Sequence, residues 1–232
     1  FWLATWVLIT VFSVFMFMAG TALLLPLFNK LTPLPDGELR HAIEQYCNAQ
    51  GYRVRRLYVM DGSKRSSKAN AFFSGLGRVR TIVLFDTLIE KLTVEQVVAV
   101  LAHEVGHDRL RHTRLMLLTS MAQTFLLAAV FGWFVQAEAL AVALGGEQAS
   151  FHLGVLAFLF ILSPFNLLVG WFTNSLSRRH EFSADQFAVQ TYGGAPLRKA
   201  LEIIGTDALV NLSPHPAYVA VHYTHPPMAS RL

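Results

Sequence analysis

Cysteine occurs once in the 232 residues, at Cys47, so no internal disulfide can brace the fold and cysteine usage does not identify a redox compartment. Charge is scarce as well. Asp, Glu, Lys and Arg make up 15% of the chain, against roughly 25% in a soluble domain, which argues against an ordinary water-soluble enzyme. Disorder is excluded by a hydrophobic content of 53% and an aromatic content of 12%. An opening methionine is also absent. The chain starts at Phe1 inside an apolar run and is expected to be part of something longer.

The missing charge is concentrated in three stretches. Residues Phe1–Phe28 carry none, and neither do Leu115–Val135 and Leu153–Thr173. A helix needs about 20 apolar residues to cross a bilayer core, so each run is long enough. A secretory signal has an apolar region of only about 7–15 residues behind a basic segment, and the first run fits neither condition. Pro164 in the third run would kink a helix or free a carbonyl, which neighbouring helices tolerate in a membrane. A large soluble core of buried helices is the competing reading, and three such runs in one short chain argue against it.

Positive charge is missing from one more place. The link 136–152 holds Glu138 and Glu147 but no Lys or Arg, whereas 29–114 holds 14 of the 19 and 174–232 the other five. The positive-inside rule therefore predicts 29–114 and the C-terminal tail on the cytoplasmic side, with the link outside. A net charge of +4 then calls for no nucleic acid, because the basic residues face an anionic leaflet. Lys64, Arg65 and Lys68 are candidates to rest on its lipid headgroups.

Between the spans, 36–52 reads as an amphipathic helix with Leu39, Ile43, Tyr46 and Cys47 on one face and Gly51 near its end. Residues 54–60 and 81–85 read as strands and 70–74 as a candidate third. The segment 61–67 is a polar loop, and Gly75 and Gly77 punctuate the chain after the third strand. Thr93 and Gln96 form a capping box that opens the next helix.

That helix carries His103-Glu104-Val105-Gly106-His107, an H-E-x-x-H pattern. Residues four apart share a helix face, so both imidazoles can reach one zinc ion, and Glu104 can serve a metal-held water as general base. The flanks, residues 97–102, are apolar, and two His and a Glu buried there without a metal would be costly. A catalytic zinc needs a third protein ligand. His107 lies eight residues before the second span, and Glu181 lies eight residues beyond the third. If both helices run straight on, each group stands about 12 Å from the membrane boundary. Asn174, Arg178 and Asp185 lie on one helical stripe with Glu181, where a solvated charged face is the ordinary reading. Alignment with the H-E-x-x-H helix favours a ligand with supporting groups instead, Asp185 or Arg178 orienting the metal-binding side chains.

On these residues the chain resembles the type I CAAX prenyl endopeptidases, integral-membrane zinc metalloproteases of a peptidase family that also includes a heat-shock quality-control protease. The resemblance runs through Ser67–Gly75, Ile82–Leu88, Val100–His107, Ser177–Asp185 and His222–Pro227, with Arg231 after it. It implies one zinc ion on His103, His107 and Glu181, with Glu104 as base. Asn70 corresponds to a residue that holds the substrate backbone at an edge strand. His225 corresponds to one that stabilises the oxyanion, and Arg231 to an arginine beside the centre. His41, His112, His152, His180, His215 and His222 are expected to be ordinary surface or interfacial histidines.

The expected fold is mainly α, a polytopic membrane helix bundle with a zincin-like H-E-x-x-H helix and a small cytoplasmic β-sheet. Residues 1–28 form one span. Residues 29–232 form a membrane-embedded zinc metallopeptidase domain with spans at about 115–135 and 153–173, the family's further N-terminal spans lying outside this sequence. The expected activity is zinc-dependent endoproteolysis that removes the C-terminal tripeptide of prenylated substrates, or a bacterial equivalent. Broad quality-control proteolysis of membrane proteins and a non-catalytic scaffold are the alternatives. A pseudo-protease usually loses its base or a ligand, and this chain keeps all four residues. Expected partners are a peptide or protein substrate, lipidated or not, and membrane lipids. The expected location is a bacterial inner membrane or the endoplasmic reticulum, with the active site on the cytoplasmic side.

Overall fold

A computed structural model describes residues 1–64, 70–74 and 79–232, and of 20–25, 74 and 79 the backbone alone. In chain order the elements are helix α1 (Trp2–Phe28), strand β1 (Leu31–Pro33), α2 (Glu38–Ala49), β2 (Arg53–Met60), β3 (Ala71–Ser74), β4 (Val79–Phe85), then helices α3 (Asp86–Lys91), α4 (Val94–Arg109), α5 (His112–Gln136), α6 (Glu138–Ala143), α7 (Phe151–Thr191), α8 (Gly194–Asp207) and α9 (Pro216–His222). Arg65, Lys68, Gly75, Gly77 and the first three residues of the Ser67–Gly75 stretch fall outside the described residues.

Helices α1, α5 and α7 are long and apolar enough to cross a membrane, α1 on Trp2–Ala19 alone. They pack α1 on α5 and α5 on α7. Between apolar helices in lipid, close backbone approach takes the place of hydrophobic burial, and small residues permit it. Gly132 lies under Trp2, where a Cβ would stand 2.3 Å from the indole, and a Cβ at Gly154 would stand 2.5 Å from Val135 Cα. Trp6 Nε1 donates to the Met121 carbonyl at 3.1 Å, fixing α1 against α5.

The rest of the chain buries its apolar residues inward. The sheet has the order β1-β2-β4-β3, with β2 and β4 parallel and the two outer pairs antiparallel. Strand β1 goes beyond the sequence reading, and Pro33 within it is tolerated because the strand lies at a sheet edge. Helix α2 turns Ile43, Tyr46 and Cys47 inward, the face expected of it. These side chains join Ile82 and Leu84 of the sheet and Leu101 of α4 in one core. The capping box is present: Gln96 N donates to Thr93 Oγ1 at 3.4 Å, and Thr93 N to Gln96 Oε1 at 3.0 Å.

Two connections set the geometry of the site. Helix α7 continues unbroken past Pro164 to Thr191, so one 41-residue element carries both an apolar span and Glu181. The H-E-x-x-H helix does not continue into the second span, contrary to the straight run expected. It stops at Arg109, and Arg111 adopts a left-handed conformation (φ 60°) before α5 begins at His112. A non-glycine residue rarely holds that backbone, and here it redirects the chain between two helices.

Candidate metal centre

Helix α4 meets α7 at Gly106. A Cβ there would lie 3.1 Å from Ala184 Cα and 3.2 Å from its carbonyl oxygen, so a hydrogen at this position lets the two backbones touch. The contact places the residues one turn either side in reach of each other. His103 and His107 come from α4 and Glu181 from α7, and one donor atom from each falls within 4.8 Å of the others.

The separations are specific. His103 Nε2 and His107 Nε2 are 3.1 Å apart. Glu181 Oε2 lies 3.6 Å from His103 Nε2, and Oε1 lies 3.4 Å from His107 Nε2. The edge of a tetrahedron with bonds of about 2.1 Å is about 3.4 Å, so this donor set fits one divalent ion with three protein ligands. Imidazole and carboxylate groups, here two buried and one half-buried, are the donors such an ion takes.

Outside the donors stands a ring of charge. Asp185 Oδ1 lies 2.8 Å from His103 Nδ1, the nitrogen turned away from Glu181. Arg231 binds Asp185 through two hydrogen bonds, Nε to Oδ2 and Nη2 to Oδ1, each 2.8 Å, and its Nη1 is 3.4 Å from Glu181 Oε2. Fork-to-fork pairing of this kind fixes orientation as well as charge. Glu104 is partly buried beside the donors. That burial pushes its carboxyl above the usual carboxylate range, while the imidazoles of His103 and His107 pull it back. The exposed His225 sets its Nε2 3.4 Å from Glu181 Oε1.

Asn174 and Arg178 do not contact the donors among the described residues; they hold α9. Asn174 Nδ2 donates to the Val221 carbonyl at 2.6 Å, and Arg178 Nη1 to Val219 at 3.0 Å and Tyr223 at 2.6 Å. The last carbonyls of a helix have no partner within it, and a cation there also answers the helix dipole. Helix α9 leads directly into His225, so α7 bears on the centre both through its own carboxylates and through this grip. Asn70 stands just before the edge strand β3, which packs on α4, and its Oδ1 accepts from Ala71 N at 2.8 Å. Among the described residues it makes no hydrogen bond to the cluster.

Sequence reasoning missed two groups. His112 and His180, expected as ordinary surface or interfacial histidines, are 7% and 8% exposed and adjoin the cluster. His112 Nδ1 is 3.1 Å from His107 Nδ1, and its ring lies flat on His180 with centroids 4.1 Å apart. A helical spacing rule could not have found this, because the turn at Arg111 separates His107 from His112. The second omission is a half-open cavity of about 230 Å³ between α5 and α7, lined by Met116, Ser120, Gln123, Thr173, Asn174 and Ser177 among others.

Fold and donor set together are those of a metallopeptidase scaffold built on membrane-length helices. The model of Peptidase family M48 matches residues 33–232, and the chain belongs to that family. It is 36% identical over 228 residues to the CAAX prenyl protease 1 homolog of Arabidopsis thaliana, covering 98% of this chain and 54% of that one. It is 33% identical over 225 residues to CAAX prenyl protease 1 of Saccharomyces cerevisiae, covering 90% and 50%. The crystal structure of S. mikatae Ste24p superposes with a TM-score of 0.89 at 31% identity, over 100% of this chain and 57% of that one. The chain thus spans about half the length of the curated relatives it matches.

Proposed function

We propose that this chain is the catalytic portion of a zinc-dependent integral-membrane endopeptidase acting on the C-terminal tripeptide of prenylated proteins or a bacterial equivalent. The convergence of His103, His107 and Glu181 at the separations given above carries the zinc reading. Similarity to proteins named CAAX prenyl protease 1 supports the choice of substrate class. The distribution of Lys and Arg supports placing residues 29–114, and with them the centre, on the cytoplasmic side.

Bound zinc would polarise the scissile carbonyl and make water a stronger acid. Glu104 accepts the proton of the attacking water, a task for which a carboxyl raised by burial is better matched near neutral pH. His225 donates to the carbonyl oxygen as negative charge grows there. Asp185 holds the outer nitrogen of His103, while Arg231 keeps Asp185 and Glu181 in register. Strand β3, beside Asn70, is the outermost strand among the described residues and offers backbone groups with which an extended peptide can pair.

The test uses the full-length protein in lipid beside its Glu104→Gln and Glu181→Ala variants. Mass spectrometry follows a farnesylated C-a-a-X peptide and an unmodified membrane-protein fragment. Release of the tripeptide by wild type alone is expected, with zinc retained in Glu104→Gln and lost in Glu181→Ala. Cleavage of the fragment alone would leave the metal chemistry standing and move the function to quality control. Zinc bound with neither substrate cut would favour a scaffold.

A further inference from the structure

Each histidine of the cluster turns Nε2 toward Glu181 and has one nitrogen left over. A metal-bound imidazole is fixed in tautomer and rotation by the partner of that second nitrogen. For His103 the nearest such group is the Asp185 carboxylate, 2.8 Å away as a charge pair though not aligned as a hydrogen bond. For His107 it is the neutral-type acceptor of another imidazole, His112 Nδ1, at 3.1 Å. With Nε2 committed to a metal, His107 carries its proton on Nδ1 and donates it. His112 must then accept on Nδ1 and keep its own proton on Nε2.

The surroundings hold His112 in place for this. Left-handed Arg111 ends the turn so that His112 opens α5 beside His107. On its other face the His180 ring lies parallel within 7°. His180 is itself buried, and its Nδ1 has no hydrogen-bond partner among the described residues.

We propose that His112 is a positioning residue that fixes the ring and tautomer of His107 by accepting its Nδ1–H, with His180 as the flat plate that keeps His112 from rotating. The proposal rests on the zinc reading above and deepens it. The two ligand histidines are thereby supported unequally, one by an anion and one by a neutral ring.

The test measures metal binding, so it requires no substrate. Full-length protein in lipid nanodiscs is titrated with Zn²⁺ against a chelator, and its Co²⁺ form is followed by visible absorption. His112→Phe fills the same space and can stack, but cannot accept. It is expected to bind Zn²⁺ about 10–100-fold more weakly, in the range of lost outer-shell partners. His112→Asn presents an oxygen near the Nδ1 position and should recover most of that loss and the wild-type Co²⁺ spectrum. His180→Phe keeps the plate and should stay within about twofold of wild type, in line with an effect that leaves the acceptor intact. Wild-type affinity in His112→Phe, or equal weakening in the Phe and Asn variants, would overturn the proposal. Should the Phe variant fail to fold, ¹⁵N spectra of the zinc-loaded wild type decide: a His107 Nδ1 without a proton refutes it. Retention of Zn²⁺ by Glu181→Ala would instead overturn the zinc site itself.

Discussion

Two regions of this protein are built from the same apolar residues and treat them in opposite ways. On α4, Val97, Val98 and Leu101 are 0–1% exposed, pressed between the sheet, α2 and α8. On the first half of α7, Leu159, Phe160 and Leu168 are 55–74% exposed. In water an outward leucine face of that extent would be an aggregation site, so the exposed set fits an apolar solvent, which a bilayer provides. Where the first region gains by removing side chains from water, the second gains by close fit, an indole seated on Gly132 and backbone contact at Gly154. The candidate centre sits where the two meet, on the helix that belongs to both.

The severest way to break that comparison is at the meeting point. Gly106→Val would force α4 from α7, separating His103 and His107 from Glu181. Loss of bound metal is expected, with a fall in thermal unfolding temperature in lipid, and a variant that keeps its metal would show that the contact does not set the site. Next comes the inward region alone. Leu101→Ala should cost about 2–5 kcal/mol in unfolding, the range for a fully buried leucine. A smaller effect is expected from Tyr52→Phe. Tyr52 donates to Asp108 Oδ2 at 2.6 Å, beside Arg80, which reaches the same oxygen at 2.5 Å. Burial, and then that carboxylate, push the Tyr52 hydroxyl up to about 12, so it stays a donor at any ordinary pH. Removing it should cost about 1.5–3 kcal/mol, the range for a hydrogen bond to a charged group. Smallest of all is Leu168→Ala on the outward face, expected within about 0.5 kcal/mol in lipid. If it costs as much as Leu101→Ala, the two regions are not packed by different rules.

The parts of this structure legible in the sequence are those governed by short-range or compositional rules. Uninterrupted apolar runs marked the membrane-length helices, the four-residue period marked the inward face of α2, and Thr93 with Gln96 marked the start of α4. The H-E-x-x-H pattern was legible because a helix sets residues four apart on one face; Glu181 joins those histidines in one cluster although the straight run assumed from α4 into the second span is broken at Arg111. Strand β1 was not, since three residues ending in Pro33 have no strand pattern and acquire one only by pairing with β2. Nor was the break between α4 and α5. Arg111 holds a left-handed turn that glycine or asparagine would have advertised and arginine does not. That one residue decided the placement of His112, so an unmarked backbone conformation also hid two buried histidines. The grip of Asn174 and Arg178 on α9 was similarly out of reach, because both reach for backbone carbonyls that no side-chain pattern displays.

The unbroken length of α7 makes it a lever. Glu181 stands 17 residues beyond Pro164, about 25 Å at the usual rise, so a tilt of one degree about that point would carry the carboxylate through roughly 0.4 Å. A metal bond tolerates displacements of only about 0.2 Å. Whatever holds the tilt of α7, chiefly its packing against α4 and α5, therefore also holds one corner of the His103, His107 and Glu181 donor set in place.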